Sequence, residues 1–140
     1  WRSSTTPGLI PNAVEEILRL DSSVIAWRRH TTDDVEVGGV QIPAHSNLLL
    51  MLGSGNRDPA VFDDPDRLDI RRPNARENLS FGVGAHLCLG APLARMQAAI
   101  AIEILSQRLR NLRLAGNQQL RFAPNVSFRG PLELHVEWDA

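Results

Sequence analysis

The residues of this chain best suited to chemistry lie together in Phe81-Gly82-Val83-Gly84-Ala85-His86-Leu87-Cys88-Leu89-Gly90. Cys88 is the single cysteine of the sequence, so an internal disulfide is excluded and a cysteine-rich zinc site cannot form. Glycines at 82, 84 and 90 let the backbone take positive φ or come close to another object, a freedom that costs entropy unless something uses it. A strongly helical run follows at once, so the thiol stands just ahead of a helix N-terminus, whose positive dipole end favours the thiolate. Taken alone, an isolated cysteine among apolar residues is more often an inert core residue. The glycines and the helix point instead to a thiolate presented on a loop.

Several chemistries use such a thiolate. A dinucleotide-binding loop does not fit, because Gly82-x-Gly84 is followed by five residues before Gly90, where G-x-G-x-x-G is needed. A cysteine-protease nucleophile stays open, although no base or orienting partner is identifiable in the sequence. Covalent c-type haem attachment needs C-x-x-C-H, which is absent. Non-covalent haem held by one axial thiolate needs one cysteine, a close backbone offering N–H groups to the sulfur, and an apolar surface against the macrocycle. That chemistry accounts for all three features.

The elements that must position the loop are read from periodicity and turn residues. Residues 1–11, with Pro7, Gly8 and Pro11, read as a lead-in loop. Asn12 is the expected N-cap of a helix over 12–20, with Glu15 and Glu16 in its first turn and Val14, Ile17, Leu18 and Leu20 on its apolar side. Residues 24–52 read as a β region, with short strands at 24–27, 35–37, 40–42 and 48–52. Gly38-Gly39 is the hairpin signal within it. Residues 53–80, interrupted by Pro59, Pro65 and Pro73, hold no long period and read as a meander. The cysteine loop, 81–90, leads into a helix over 91–110 with Pro92 in its first turn. Two apolar lines on that helix, one of them Leu93, Met96, Ile100 and Ile104, predict that it is buried. The rest, 111–140, reads as a terminal β region, and alternation over 132–138 predicts a half-exposed strand. The fold class expected is α+β, mainly helical, in a single domain.

The run from Phe81 to Arg95 resembles the haem-binding signature of the bacterial cytochromes P-450, the haem-thiolate monooxygenases. The resemblance extends from Pro7 to about Val136. It implies that the fold is the C-terminal part of the cytochrome P-450 fold and that Cys88 is the axial iron ligand of a haem b (iron protoporphyrin IX). It further implies that Phe81 packs near the sulfur and shields it, that Gly82, Gly84 and Gly90 shape the loop, and that His86 and Arg29 bind the haem propionates through charge-assisted hydrogen bonds. Arg28 is the alternative cation on its strand, and both the histidine and the arginine pair also read as ordinary solvated residues. Glu16-Ile17-Leu18-Arg19 is similar to the family's E-x-x-R helix. As local physics this is an i, i+3 ion pair worth ~0.2–0.5 kcal/mol; the resemblance makes it a buried structural network completed by Arg67. Asn56-Arg57-Asp58-Pro59 also resembles the family's meander, and Leu68 stands where relatives commonly have an aromatic. His45 occupies a turn position where glycine is usual, and histidine tolerates the left-handed region better than most residues. Substrate contacts are implied for 24–27 and 125–127. The implied partners are a small apolar organic substrate and a ferredoxin-type electron donor docking on the proximal face, near Arg95.

Composition bounds these expectations. A chain of 140 residues, 43% hydrophobic and 22% charged, excludes disorder and collagen. A formal net charge of −1 offers no basic field to a nucleic acid. No run approaches the ~20 apolar residues of a membrane span, so a soluble, cytoplasmic protein is expected. The chain starts at Trp1, shows no signal-peptide pattern, and has no segment resembling the family's long oxygen-activating helix. A fragment is therefore expected: the C-terminal part of a monooxygenase that oxidises a small organic substrate with O₂, holding haem weakly and turning over little or nothing by itself. No residue is assigned a direct catalytic role. Two other classes stay open, a truncated haem-binding protein without oxygen chemistry and a haemless remnant that forms a homo-oligomer through exposed apolar surface.

Overall fold

Helix α1 (Leu9–Leu20) begins ahead of Asn12 in the computed structural model, which describes residues 8–140. Pro11 is tolerated in the first turn because the N–H it lacks would have no intrahelical partner there. Gly8 is the N-cap and makes no side-chain bond. Asn12 is thus not the cap expected from sequence. Its amide donates to the carbonyls of Ile70 (2.9 Å) and Arg72 (3.1 Å), fastening the helix to the meander.

Two small sheets follow. Strand β1 (Trp27–His30) pairs antiparallel with β4 (Asn47–Leu50), and the hairpin of β2 (Val35–Val37) and β3 (Val40–Ile42) lies between them in sequence. Gly38 and Gly39 have φ of +58° and +79°, the paired left-handed conformation that a two-residue turn between twisted strands requires. His45 takes φ +63°, and its N–H donates to Thr31 O at 2.9 Å, so the turn keeps the glycine-like conformation. Of the strand expected at 24–27, only Trp27 joins β1. Val24 instead bridges to Phe128, and the Ile25 N–H donates to Ser127 O at 2.8 Å.

Helix α2 (Leu52–Gly55) opens the meander, which carries one 3₁₀ turn (Ala75–Glu77); a second 3₁₀ turn (Gly84–His86) lies in the cysteine loop. Helix α3 (Ala91–Arg108) ends before Arg110, which begins β5 (Arg110–Leu114), paired antiparallel with β6 (Val136–Asp139). The strand predicted over 132–138 is shorter and later than its alternation suggested. Against the described residues alone α3 is not covered: Leu93, Met96, Ile100 and Ile104 are 41–54% exposed. Within the described residues α3 packs mainly against α1 and β5, which leaves its apolar lines uncovered. Among the described helices none is long and apolar enough to cross a membrane.

The interior is organised by charge. Its buried apolar residues are Ala13, Val14, Ala26, Phe62, Ala75 and Ala91, and buried beside them are Glu16, Arg19, Asn56 and Arg72. Glu16 and Arg19 form a two-bond pair, Arg19 Nε to Oε2 at 2.7 Å and Nη2 to Oε1 at 2.9 Å. The Asp69 N–H donates to Oε1 at 2.9 Å. The second cation is Arg72, whose Nε lies 3.1 Å and 3.2 Å from the two carboxylate oxygens. Arg67, the arginine expected there, contributes only its carbonyl, which accepts from both Arg19 and Arg72 at 3.2 Å; its side chain is outside the network. The remaining guanidinium donors reach the carbonyls of Asn56 and Pro65 from Arg19, and of Asp63 and Asp64 from Arg72. The Arg19 guanidinium also stands over the Phe62 ring, 5.1 Å from its centroid.

Burial alone would raise the Glu16 carboxyl, but hydrogen bonds from Arg19, the Asp69 N–H and Arg72, with the charge of Arg19, outweigh it and hold the group below its ordinary range. Its stabilisation is therefore complete above the unfolded glutamate value of ~4.3 and is lost as pH falls through the lower folded value. In acid titrations of the unfolding free energy, Glu16→Gln should remove that limb, and an unchanged limb would exclude Glu16 as its source. Arg72→Ala should cost ~3 kcal/mol in urea unfolding, because it strips a buried carboxylate of a cation. Arg67→Ala should change stability by no more than ~0.5 kcal/mol, and the opposite ranking would return Arg67 to the network.

Candidate functional site

The cysteine loop is shaped by two residues that need left-handed backbone. Gly82 has φ +72° and Gly84 φ +67°, where a Cβ would be strained. The Gly82 N–H donates to Leu79 O at 2.8 Å, Leu87 N–H to Gly84 O at 3.0 Å, and Cys88 N–H to Phe81 O at 2.9 Å. Ala91 N–H then donates to Cys88 O at 3.1 Å, handing the loop to α3. Gly90 differs from the other two. Its φ is −80°, and a Cβ there would lie 3.8 Å from Cys88 Sγ, an ordinary contact.

The loop places Cys88 at the surface. In the same loop Val83, Leu87 and Leu89 are 68%, 57% and 98% exposed. His86 is exposed within the 3₁₀ turn. Arg29 sits half-buried on β1 opposite Leu48, and its Nη1 donates to Arg28 O at 2.9 Å. Among the described residues, no hydrogen bond or ion pair joins Arg29, His86 and Cys88 to one another. The two segments expected to contact substrate are brought together: the Val24 bridge to Phe128 and the Ile25 bond to Ser127 align them, and Trp27 meets Phe128 edge to face at 6.0 Å.

Phe81 is half-buried, and its carbonyl makes the hydrogen-bond link to Cys88. Its ring lies under the Arg95 guanidinium, 4.6 Å from centroid to Cζ. Arg95 is in turn held by Glu15, with Nε 2.7 Å from Oε1. Sequence reasoning missed Glu15, Asn78 and Arg72 as site-positioning residues. Glu15, expected in the first turn of a helix starting at 12, lies in the second turn of one starting at Leu9, and the local dipole explanation hid its partners Arg95 and Asn78.

The family model for cytochrome P-450 matches residues 8–128. Mycinamicin IV hydroxylase/epoxidase of Micromonospora griseorubida is 46% identical over 136 residues, covering 94% of this chain and 34% of that protein. Among solved structures, a haem domain from Acinetobacter radioresistens superposes with a TM-score of 0.92 at 47% identity, covering 96% of this chain and 32% of its own. The P-450 haem domain of Tepidiphilus thermophilus gives 0.90 at 53% identity, with 96% and 32% covered. This chain belongs to the cytochrome P-450 family, and its fold is part of the haem-domain fold of that family. It spans a quarter to a third of the length of the curated relatives it matches.

Haem is the cofactor of that family, and the loop fits it. A thiolate is a soft donor suited to haem iron. Val83, Leu87 and Leu89 offer apolar surface in the same loop, and the Leu89 and Gly90 N–H groups make no backbone hydrogen bond among the described residues. Because the loop depends on left-handed backbone at only two glycines, Gly82→Ala and Gly84→Ala should each cost ~1–2 kcal/mol in urea unfolding. Gly90→Ala should cost less, and equal losses at all three would contradict this division.

Proposed function

We propose that the protein carrying this chain is a haem-thiolate monooxygenase in which Cys88 is the axial ligand of haem b. The observation that carries the reading is an exposed thiol on a glycine-kinked loop at the start of α3, in a chain of this family. Val83, Leu87 and Leu89 would pack on the macrocycle, and Phe81 would shelter the sulfur. His86 and Arg29 would neutralise the propionates, each a donor to carboxylate oxygens. When bound, haem supplies O₂ activation by two one-electron reductions and insertion of one oxygen atom into an organic substrate. The joined segments at 24–27 and 125–128 would orient a small apolar substrate, with Trp27 and Phe128 excluding water from one side of it. A ferredoxin-type protein is the electron donor that suits this reading.

A second reading, a non-catalytic haem-binding or oligomerising module, draws on the uncovered apolar lines of α3. The haem-binding form of this reading predicts a haem spectrum without turnover, and the haemless oligomer predicts no haem spectrum.

Carbon monoxide binding to the reduced, haem-loaded protein is the decisive measurement. The red-shifted Soret band of thiolate ligation should appear and be lost in Cys88→Ala, and a spectrum unchanged by that substitution would end the ligand assignment. Arg29→Ala and His86→Ala should each weaken haem retention by about tenfold, the scale of one charge-assisted bond. Retention equal to wild type would remove them from the site.

A further inference from the structure

Glu15 and Glu16 are neighbours, yet their carboxylates serve different partners, because successive helical side chains point about 100° apart. Glu16 enters the meander network. Glu15, nearly buried, accepts from Arg95 Nε at 2.7 Å and Nη2 at 3.1 Å, and from Asn78 Nδ2 at 3.1 Å. Two parallel N–H···O bonds fix the plane of a guanidinium as well as its place. Here that plane lies against the Phe81 ring at cation–π distance. Arg95 is in the second turn of α3, and helical side chains lean back toward the N-terminus, which is the direction of the loop. The Phe81 carbonyl then holds the Cys88 N–H. A continuous line of contacts thus runs from α1, through α3, to the residue that presents the thiol.

We propose that Arg95 is a positioning residue for the Cys88 loop: oriented by Glu15, it clamps Phe81 and so fixes the backbone that presents the thiol. Its consequence at iron rests on the haem reading above, whereas the clamp itself also acts in haem-free protein.

The test uses the full protein, haem-stripped and haem-loaded. In the stripped form, iodoacetamide alkylation of the Cys88 peptide, followed by mass spectrometry, should quicken about three- to tenfold in Arg95→Ala and in Phe81→Leu. The double variant should be no faster than the faster single one, since both remove one shared contact. Arg95→Lys keeps the charge without the fork and should fall between wild type and Arg95→Ala, with circular dichroism checking its fold. Arg113→Ala, which breaks exposed ion pairs on the β5–β6 hairpin, should alkylate at the wild-type rate. In the loaded form, Arg95→Lys should shift the reduction potential and Arg113→Ala should not. Wild-type alkylation in folded Arg95→Ala and Arg95→Lys, or multiplying rates in the double variant, would overturn the clamp. Failure of the haem reading looks different: absorption indifferent to Cys88→Ala, with the Arg95–Phe81 coupling intact.

Discussion

A carboxylate with no exposed surface sets the terms for most of this structure. Leaving Glu16 ionised in the interior requires every oxygen lone pair to find a donor, since desolvation would otherwise favour the neutral acid. Arg19 is supplied by the same helix, but the Asp69 N–H and Arg72 come from a segment more than fifty residues away. Those two arginines carry further donors of their own, which are equally costly to leave bare. They are satisfied by carbonyls spread from Asn56 to Arg67. Satisfying one charge therefore orders a stretch of chain that has almost no regular secondary structure. Such a network is weak evidence for net stability, but its geometry admits one path for the meander, and every buried side-chain polar atom described has a partner.

The same network reaches the candidate site by a second route. Asn56, whose carbonyl accepts from Arg19, donates through its amide to Ser80 Oγ at 3.0 Å and accepts the Leu79 N–H through Oδ1. Ser80 Oγ donates on to Leu18 O at 2.7 Å. The residues immediately before Phe81 are thereby pinned to α1. On the far side of the loop, Arg95 returns to α1 through Glu15. One twelve-residue helix thus anchors the cysteine loop at both ends, which is why its polar face, and not its apolar one, determines where the thiol stands.

Features that depend on neighbouring residues were legible in the sequence. The Gly38-Gly39 turn and the glycine-kinked loop before α3 follow from local backbone sterics, the left-handed His45 from the resemblance together with them, and the structure has all three. Features that depend on distant partners were not. Arg67 and Arg72 are equally basic and five residues apart, and only the path of the meander decides which side chain turns inward. Asn12 has the chemistry of an N-cap, but a buried pair of meander carbonyls outbid the helix N–H groups for it. The burial expected of α3 is not met by the described residues alone, since periodicity reports which faces are apolar, while exposure depends on what lies against them. Family membership was legible because the signature around Cys88 is long, yet the particular contacts that hold it in place were not part of that signature.

A loop that leaves Leu89 98% exposed cannot obtain its order by burying its own side chains. Conformational entropy must be restrained by other means, and the structure uses three. Two glycines occupy backbone wells that disfavour other residues, four backbone hydrogen bonds close successive turns from Leu79 to Ala91, and Phe81 is stacked beneath a guanidinium held by another helix. None of the three uses the exposed side chains of Val83, Leu87 and Leu89. The division is a physical requirement for any site that must be both rigid and open: the restraints sit on the protein side, and the surface facing a bound group stays free to be buried by it.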